Sequence, residues 1–432
     1  MSAKSKFLSA AANAYLSSRP AKHALFNAGR ILSGGKRRAR LFYRADDPYS
    51  HLLVQVAPRL MDEYGFDIEI VPVAKPGLSA TPAPEMLLHH AMRDAAILAQ
   101  SYGLSFPADA TPPPEDRIRR AHAVLLEPRP SATQLGIALE LGEAVWRDDG
   151  EALAGVVARH GGISGESVRP ALDANYVALE RAGHYQPGML QYGGDWYWSI
   201  DRLGHLEARL KREGAQGSLG LSAQRSPHLA SLMAGPDPSC IELFVSFRSP
   251  YSYVVIPQLI ELRDRYGVDI RVRPVLPMVM RGLAVPLAKR LYIARDAKRE
   301  ADRLGIPFGR VSDPLGKGIG YCLAVFQQCA EPRGIGLQYF HEIAKGTWSE
   351  GRDVAQLPDL IELAERSGID EADVRAAIAQ DGWKDWAQGN RDALTELGLW
   401  GVPSFRIGSY ATWGQDRVPL VEAEIAALSA PR

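Results

Sequence analysis

The sequence predicts an α/β protein made of two tandem domains that share one architecture. Two observations carry this reading: a self-similarity held at constant spacing along much of the chain, and a strand–helix–strand pattern opening each copy. A third bounds it: 432 residues, 46% hydrophobic and 23% charged, suit a soluble globular chain with room for two cores.

The repeat comes first. Asp47-Pro48-Tyr49-Ser50 returns 202 positions later as Ser249-Pro250-Tyr251-Ser252, and Tyr64-Gly65-Phe66-Asp67-Ile68 as Tyr266-Gly267-Val268-Asp269-Ile270. Arg93-Asp94-Ala95 and Trp146 match Arg295-Asp296-Ala297 and Trp348 at the same spacing. Beyond that the offset is 215, pairing Trp198, Asp201 and Arg202 with Trp413, Asp416 and Arg417. These offsets define a basic N-terminal helical extension (1–38), a degenerate first domain (39–213), a Gly/Ser/Ala/Pro-rich linker (214–238) and a second domain (239–432).

Within the second copy, Ile241 to Phe247 reads as a buried strand. Ser249 is a favoured N-cap and Pro250 suits the first helical position, so a helix runs from there to Tyr266 and stops at Gly267. Val268 to Val275 is a second strand, and a crossover of this length makes the two parallel. A helical stretch follows from Pro286 to Leu397, including Leu287–Arg303, Leu357–Arg366 and Glu371–Ala379. Pro403–Ile407 and Tyr410–Trp413 form a hairpin, and Asp416–Leu428 a closing helix. This order, β-α-β, helical insertion, β-β-α, is a thioredoxin-type core with an inserted helical lid.

Composition excludes several functions. The formal net charge is zero, so no global field favours nucleic acid. No apolar run approaches the length of a membrane span. Three cysteines cannot build a disulfide framework, which suits a reducing, cytoplasmic setting. The N-terminal segment is basic (Lys4, Lys6, Arg19, Lys22, Arg30, Lys36, Arg37 and Arg38 precede any acid) and reads as a surface helix packed on the repeats, or as one that binds a membrane surface or a partner.

At Phe247-Arg248-Ser249-Pro250-Tyr251-Ser252-Tyr253, at Trp348 to Asp353, at Gly401-Val402-Pro403-Ser404-Phe405 and at Trp413 to Arg417, the second copy resembles the DsbA-like thioredoxin superfamily. The resemblance is to its branch of 2-hydroxychromene-2-carboxylate isomerases and kappa-class glutathione transferases. Where oxidoreductases of the superfamily carry Cys-x-x-Cys, this chain has Ser249 and Ser252, and hydroxyls cannot exchange disulfides. The resemblance implies glutathione as cofactor and a small aromatic or conjugated substrate. Ser249 would be the catalytic residue, holding the glutathione thiolate. Pro403 would be cis, Val402 would present its backbone to the cysteinyl part, and Gln415 and Asp416 would bind the γ-glutamyl end. It also implies that the first copy serves as a built-in partner in a pseudo-dimer. Read as residues, Ser249 and Asp416 are equally helix caps. A catalytically silent scaffold is the competing reading, favoured by Gly282-Leu283-Ala284-Val285-Pro286, which lacks the Asn common in glutathione-binding relatives.

In the first copy Asp47 replaces the Ser, and Tyr185-Gln186-Pro187-Gly188 replaces the Gly-Val-Pro-Ser stretch. A carboxylate beside a thiolate raises the thiol's pKa, so this copy is not expected to activate glutathione. His89, His90 and His341 lack metal-ligand spacing, and Cys322 and Cys329 read as core. Trp196-Tyr197-Trp198 reads as core aromatics, and Lys298, Arg299 and Arg303 as a solvated helix face.

Overall fold

The computed structural model describes residues 13–221 and 240–429, so most of the expected linker lies outside the described residues. The chain divides into two compact units. One is Pro20–Ser226, and the other joins Met1–Arg19 to Pro227–Arg432. The expected N-terminal extension is therefore shared: in the second unit Leu16 is buried, and the Arg295 guanidinium lies 5.3 Å from the ring centre of Tyr15.

The first unit opens with a helix, α1 (Arg19–Leu32), then β1 (Arg37–Tyr43), α2 (Pro48–Tyr64) and β2 (Phe66–Pro72). Five helices follow, α3 (Pro84–Tyr102), α4 (Glu115–Leu125), α5 (Ser131–Trp146), α6 (Gly150–His160) and α7 (Gly165–Arg181). The hairpin β3 (Met189–Tyr192) and β4 (Asp195–Trp198) and the helix α8 (Leu203–Arg212) close it. The sheet order is β2-β1-β3-β4, with β1 and β2 parallel and the other pairs antiparallel. Trp196 and Tyr197 are buried. The first residues of the expected linker pack on this unit: Leu219 is buried, and its N–H donates to Glu207.

The second unit has β5 (Cys240–Val245), α9 (Pro250–Tyr266) and β6 (Asp269–Pro274). Its insertion holds α10 (Leu287–Arg303), α11 (Lys317–Val325), α12 (Gly336–Trp348), α13 (Leu357–Glu365), α14 (Glu371–Ile378) and α15 (Trp383–Glu396). The strands β7 (Ser404–Ile407) and β8 (Tyr410–Trp413) and the helix α16 (Val418–Ser429) complete it. The sheet order β6-β5-β7-β8 and the pattern of parallel and antiparallel pairs are those of the first sheet. Val254, Val255, Leu259 and Leu262 of α9 are buried with Leu243 and Val272 of the sheet, each such side chain contributing about 1.5–3 kcal/mol.

Three local expectations change. The strand expected to reach Phe247 ends at Val245, because the Ser246 N–H turns to Ser252 Oγ (3.3 Å). The closing helix starts at Val418 after a 3-10 turn, Gln415–Arg417, since Pro419 lacks the N–H an earlier start would require. Arg299 is not on a solvated face: it is buried against the Asp296 carboxylate, an anion that needs a cation once removed from water. Among the described residues no helix is long and apolar enough to cross a membrane.

Candidate functional site

Topology gathers the predicted residues of the second unit at one end of its sheet. β5 leads into Ser249 and α9 at its C-terminal end. β7 runs antiparallel to β5 with Ser404 opposite Phe244, which places Val402-Pro403 beside that exit. β8 runs antiparallel to β7 with Trp413 opposite Ser404, so Gln415 and Asp416 emerge there too. The Gly414 N–H donates to the Pro403 carbonyl (2.9 Å), and the turn Gln415–Arg417 packs on α9. Val402–Pro403 is cis, the only such bond among the described residues.

Ser249 caps α9. Its backbone is extended, its Oγ accepts from the Ser252 N–H at 3.2 Å, and its own N–H donates to the Ser246 carbonyl at 2.9 Å. A hydroxyl that accepts here retains its proton to donate elsewhere. It sits half-buried at the positive end of a 17-residue helix. Arg248 beside it is engaged by both oxygens of Asp313 at 2.7 Å.

At the same sheet end, the Ser404 hydroxyl donates to the Gly401 carbonyl (2.8 Å) and fixes the loop before Pro403. Gly401 is obligatory: a Cβ there would lie 2.2 Å from the Trp413 ring. Gln415 is buried, and its Nε2 has no hydrogen-bond partner, an orphan donor at the sheet end. Asp416 is half-buried in the 3-10 turn, two residues before α16 begins. Arg417 is buried, so part of the Trp-x-x-Asp-Arg motif is structural, as is the matching Arg202.

Sequence reasoning missed Lys289 and Trp400. The Lys289 ammonium lies 5.4 Å from the centre of the Trp400 ring, and burial lowers its pKa to about 8. Trp400 stands 5.8 Å from Trp413, directly before Gly401-Val402-Pro403. The visible signal was the Trp beside that loop; nothing in the spacing ties Lys289, over a hundred positions upstream, to it.

The first unit differs in charge. Asp47 caps α2, its Oδ2 accepting from the Ser50 N–H (2.9 Å) and hydroxyl (2.6 Å). Burial pushes its pKa up to about 6. In the strand register Gly188, not Pro187, holds the place of Pro403: each stands before its strand, and the Ser199 N–H donates to the Gly188 carbonyl as Gly414 does to Pro403. The spacing expectation was thus one residue out. Gly188 has φ +70°, and a Cβ there would lie 2.8 Å from Asp47 Oδ2, so the missing side chain admits the carboxylate. Nearby, Asp46 pairs with Arg44, and His122 Nε2 accepts the Ala45 N–H (3.1 Å); burial drives His122 down to about 3, neutral at physiological pH.

Elsewhere, all three cysteines are free. Cys322 is fully buried, and burial raises its thiol far above the ordinary range. Among the described residues no three His, Cys, Asp or Glu converge on a metal-sized site.

Residues 240–426 match the DsbA-like thioredoxin domain. A 2-hydroxychromene-2-carboxylate isomerase of Pseudomonas putida is 26% identical over 205 residues, covering 44% of this chain and 95% of that protein. Its namesake from Pseudomonas sp. (strain C18) is 25% identical over 196 residues, covering 42% and 88%. Among solved structures, a 2-hydroxychromene-2-carboxylate isomerase aligns with TM-score 0.39 and 21% identity over 44% of this chain and 95% of its own. The cytosolic disulfide reductase DsbM of Pseudomonas aeruginosa with GSH aligns with TM-score 0.35 and 19% identity, covering 44% and 96%. The match to the DsbA-like thioredoxin domain thus lies within the second unit, and the two curated relatives similar to it are named 2-hydroxychromene-2-carboxylate isomerase.

Proposed function

We propose that the second unit is a glutathione-dependent isomerase or transferase acting on an aromatic or conjugated small molecule, as in the 2-hydroxychromene-2-carboxylate isomerases. The observation that carries this reading is the shared sheet end of the Ser249 hydroxyl, the cis Val402–Pro403 bond and the unpartnered Gln415 Nε2. An orphaned donor beside a half-buried carboxylate fits the mixed acceptors and ammonium of a tripeptide. Bound glutathione would supply a thiol group able to add to, and leave from, a conjugated carbon, the chemistry by which a double bond rotates or a ring opens without net redox change. Ser249 keeps its proton and donates a hydrogen bond to the sulfur, which with the α9 N-terminus favours the thiolate. Val402 offers its backbone to the peptide, and Gln415 and Asp416 hold its γ-glutamyl end. Lys289, on the aromatic Trp400 floor, attracts an anionic substrate group. Disulfide exchange does not fit Ser249 and Ser252.

We further propose that the two units descend from one duplicated domain. Paired features at constant offsets support this. The Tyr49–Asp94 and Tyr251–Asp296 hydrogen bonds are both 2.8 Å, and the Phe106–Trp146 and Phe308–Trp348 ring pairs are 5.0 and 5.7 Å apart. In the first unit, Asp47 where the other has Ser249 disfavours a thiolate.

Calorimetric titration of the full chain with glutathione tests the site. Binding is expected at millimolar ligand or below, and no heat of binding at that concentration sinks the cofactor assignment.

A further inference from the structure

One side of α1 is fixed to the first unit. His23 Nε2 lies 2.8 Å from Asp195 Oδ2, and Phe26 packs edge-on to Tyr192 with centroids 5.2 Å apart and under the Arg209 guanidinium. His23, Phe26, Asn27 and Arg30 are half-buried, recur every three or four residues and define a single inward face. The outward face carries Ala21, Ala24, Leu25, Ala28, Ile31 and Leu32. Leu25 is 77% exposed, Ile31 59% and Leu32 88%. A surface helix ordinarily turns its large aliphatic residues inward, and here three of them point out together, the mark of a surface that meets something apolar.

The charge around this stripe identifies what it meets. The first 45 residues of the sequence contain no Asp or Glu. Lys22 is exposed on the same helix, and Lys36 and Arg38 are exposed just beyond its end. A second copy docking by the same stripe would bring these cations against their own like. An acidic headgroup layer over hydrocarbon satisfies both the stripe and the cations. At 14 residues, about 21 Å, the helix is too short to span a bilayer and long enough to lie on one. We propose that α1 is a peripheral membrane-binding helix that lies along the surface of a bilayer containing anionic lipid, its Leu25, Ile31 and Leu32 face inserted below the headgroups.

The test is co-sedimentation of the full chain with vesicles of phosphatidylcholine alone or mixed with phosphatidylglycerol. Binding to the anionic vesicles is expected, weakening several-fold when salt is raised to about 0.5 M. The double substitution Leu25→Ser/Leu32→Ser should lower that binding roughly tenfold or more, and Lys36→Glu/Arg38→Glu should lower it comparably. All four positions are exposed, and a thermal melt matching the parent verifies that the variants fold. Absence of pelleting with both vesicle types overturns the proposal, as does equal pelleting with neutral and anionic ones. A concentration-dependent dimer in solution that Leu25→Ser/Leu32→Ser abolishes would overturn it in favour of a second copy as the occupant.

Discussion

Ser249 and Asp47 stand at the same place in their units, one residue before a proline-started helix, and each accepts the N–H three residues on. As caps they are interchangeable; as neighbours of a thiol they are opposites, one a hydrogen-bond donor and the other an anion. Replacing Ser249 by Ala should cost about 1 kcal/mol of stability through the lost cap. The same change should largely remove the ultraviolet thiolate absorbance of bound glutathione at neutral pH; an undiminished signal takes Ser249 out of the chemistry. For Asp47 the readout is stability against pH. Its folded pKa of about 6 lies above the ordinary 3.8, so between those values the folded protein keeps a proton that the unfolded chain has released. Stability from this group therefore falls as pH rises through that window, and the loss is complete above pH 6. Asp47→Asn keeps a good cap and removes the ionisation. It should gain on the order of 1–2 kcal/mol at pH 8, after allowing for solvent screening, and only a few tenths at about pH 4. His122 has the opposite sign, being lowered to about 3 and losing stability as pH falls below 6.5, so the comparison must be between variant and parent at each pH. Urea melts across pH 4–8 measure it; equal differences at both ends refute the assignment.

At the scale of elements, the loop before β7 and the helix before it each contain one close contact that a single substitution would disturb. Gly401→Ala places a methyl into the Trp413 ring and should destabilise the second unit by about 1–3 kcal/mol; under the proposed function it should also weaken glutathione binding, since Val402 lies in the same loop. Denaturation and calorimetry on one variant separate the two effects. Asn390 on α15 donates to the Pro274 carbonyl at 3.0 Å, and Asn175 on α7 to the Pro72 carbonyl at 2.8 Å, so in both units one Asn completes the end of the second strand. Asn390→Ala leaves a buried carbonyl without a partner and should cost about 1–3 kcal/mol in a urea melt. The elements themselves were largely legible: α10 spans the expected Leu287–Arg303, and α9 starts and stops where the Ser-Pro and Gly267 signals lie. Periodicity and caps are local, so a sequence displays them. The Asn–carbonyl locks, the burial of Arg299 and the place of Lys289 over Trp400 depend on residues brought together from distant segments, and no local pattern encodes them. The equivalence of Gly188 with Pro403 was hidden for a related reason: only strand pairing, not spacing between motifs, fixes register to one residue.

Across the whole molecule, two sheets of one strand order carry two different caps, and this asymmetry has a countable consequence. Were both units to bind glutathione, the full chain would take up two equivalents. The first unit, however, opposes a thiolate with a carboxylate and has Gly188 in place of the cis proline. Titration should therefore give about one glutathione per chain. Ser249→Ala should reduce the affinity or the thiolate signal at that site without exposing a second one, and Asp47→Asn should leave the stoichiometry unchanged. Two binding events of comparable affinity in the parent protein would place a working site in the first unit as well and remove the division of labour between the units. One event that survives Ser249→Ala but is lost on Asp47→Asn would move the site to the other unit altogether.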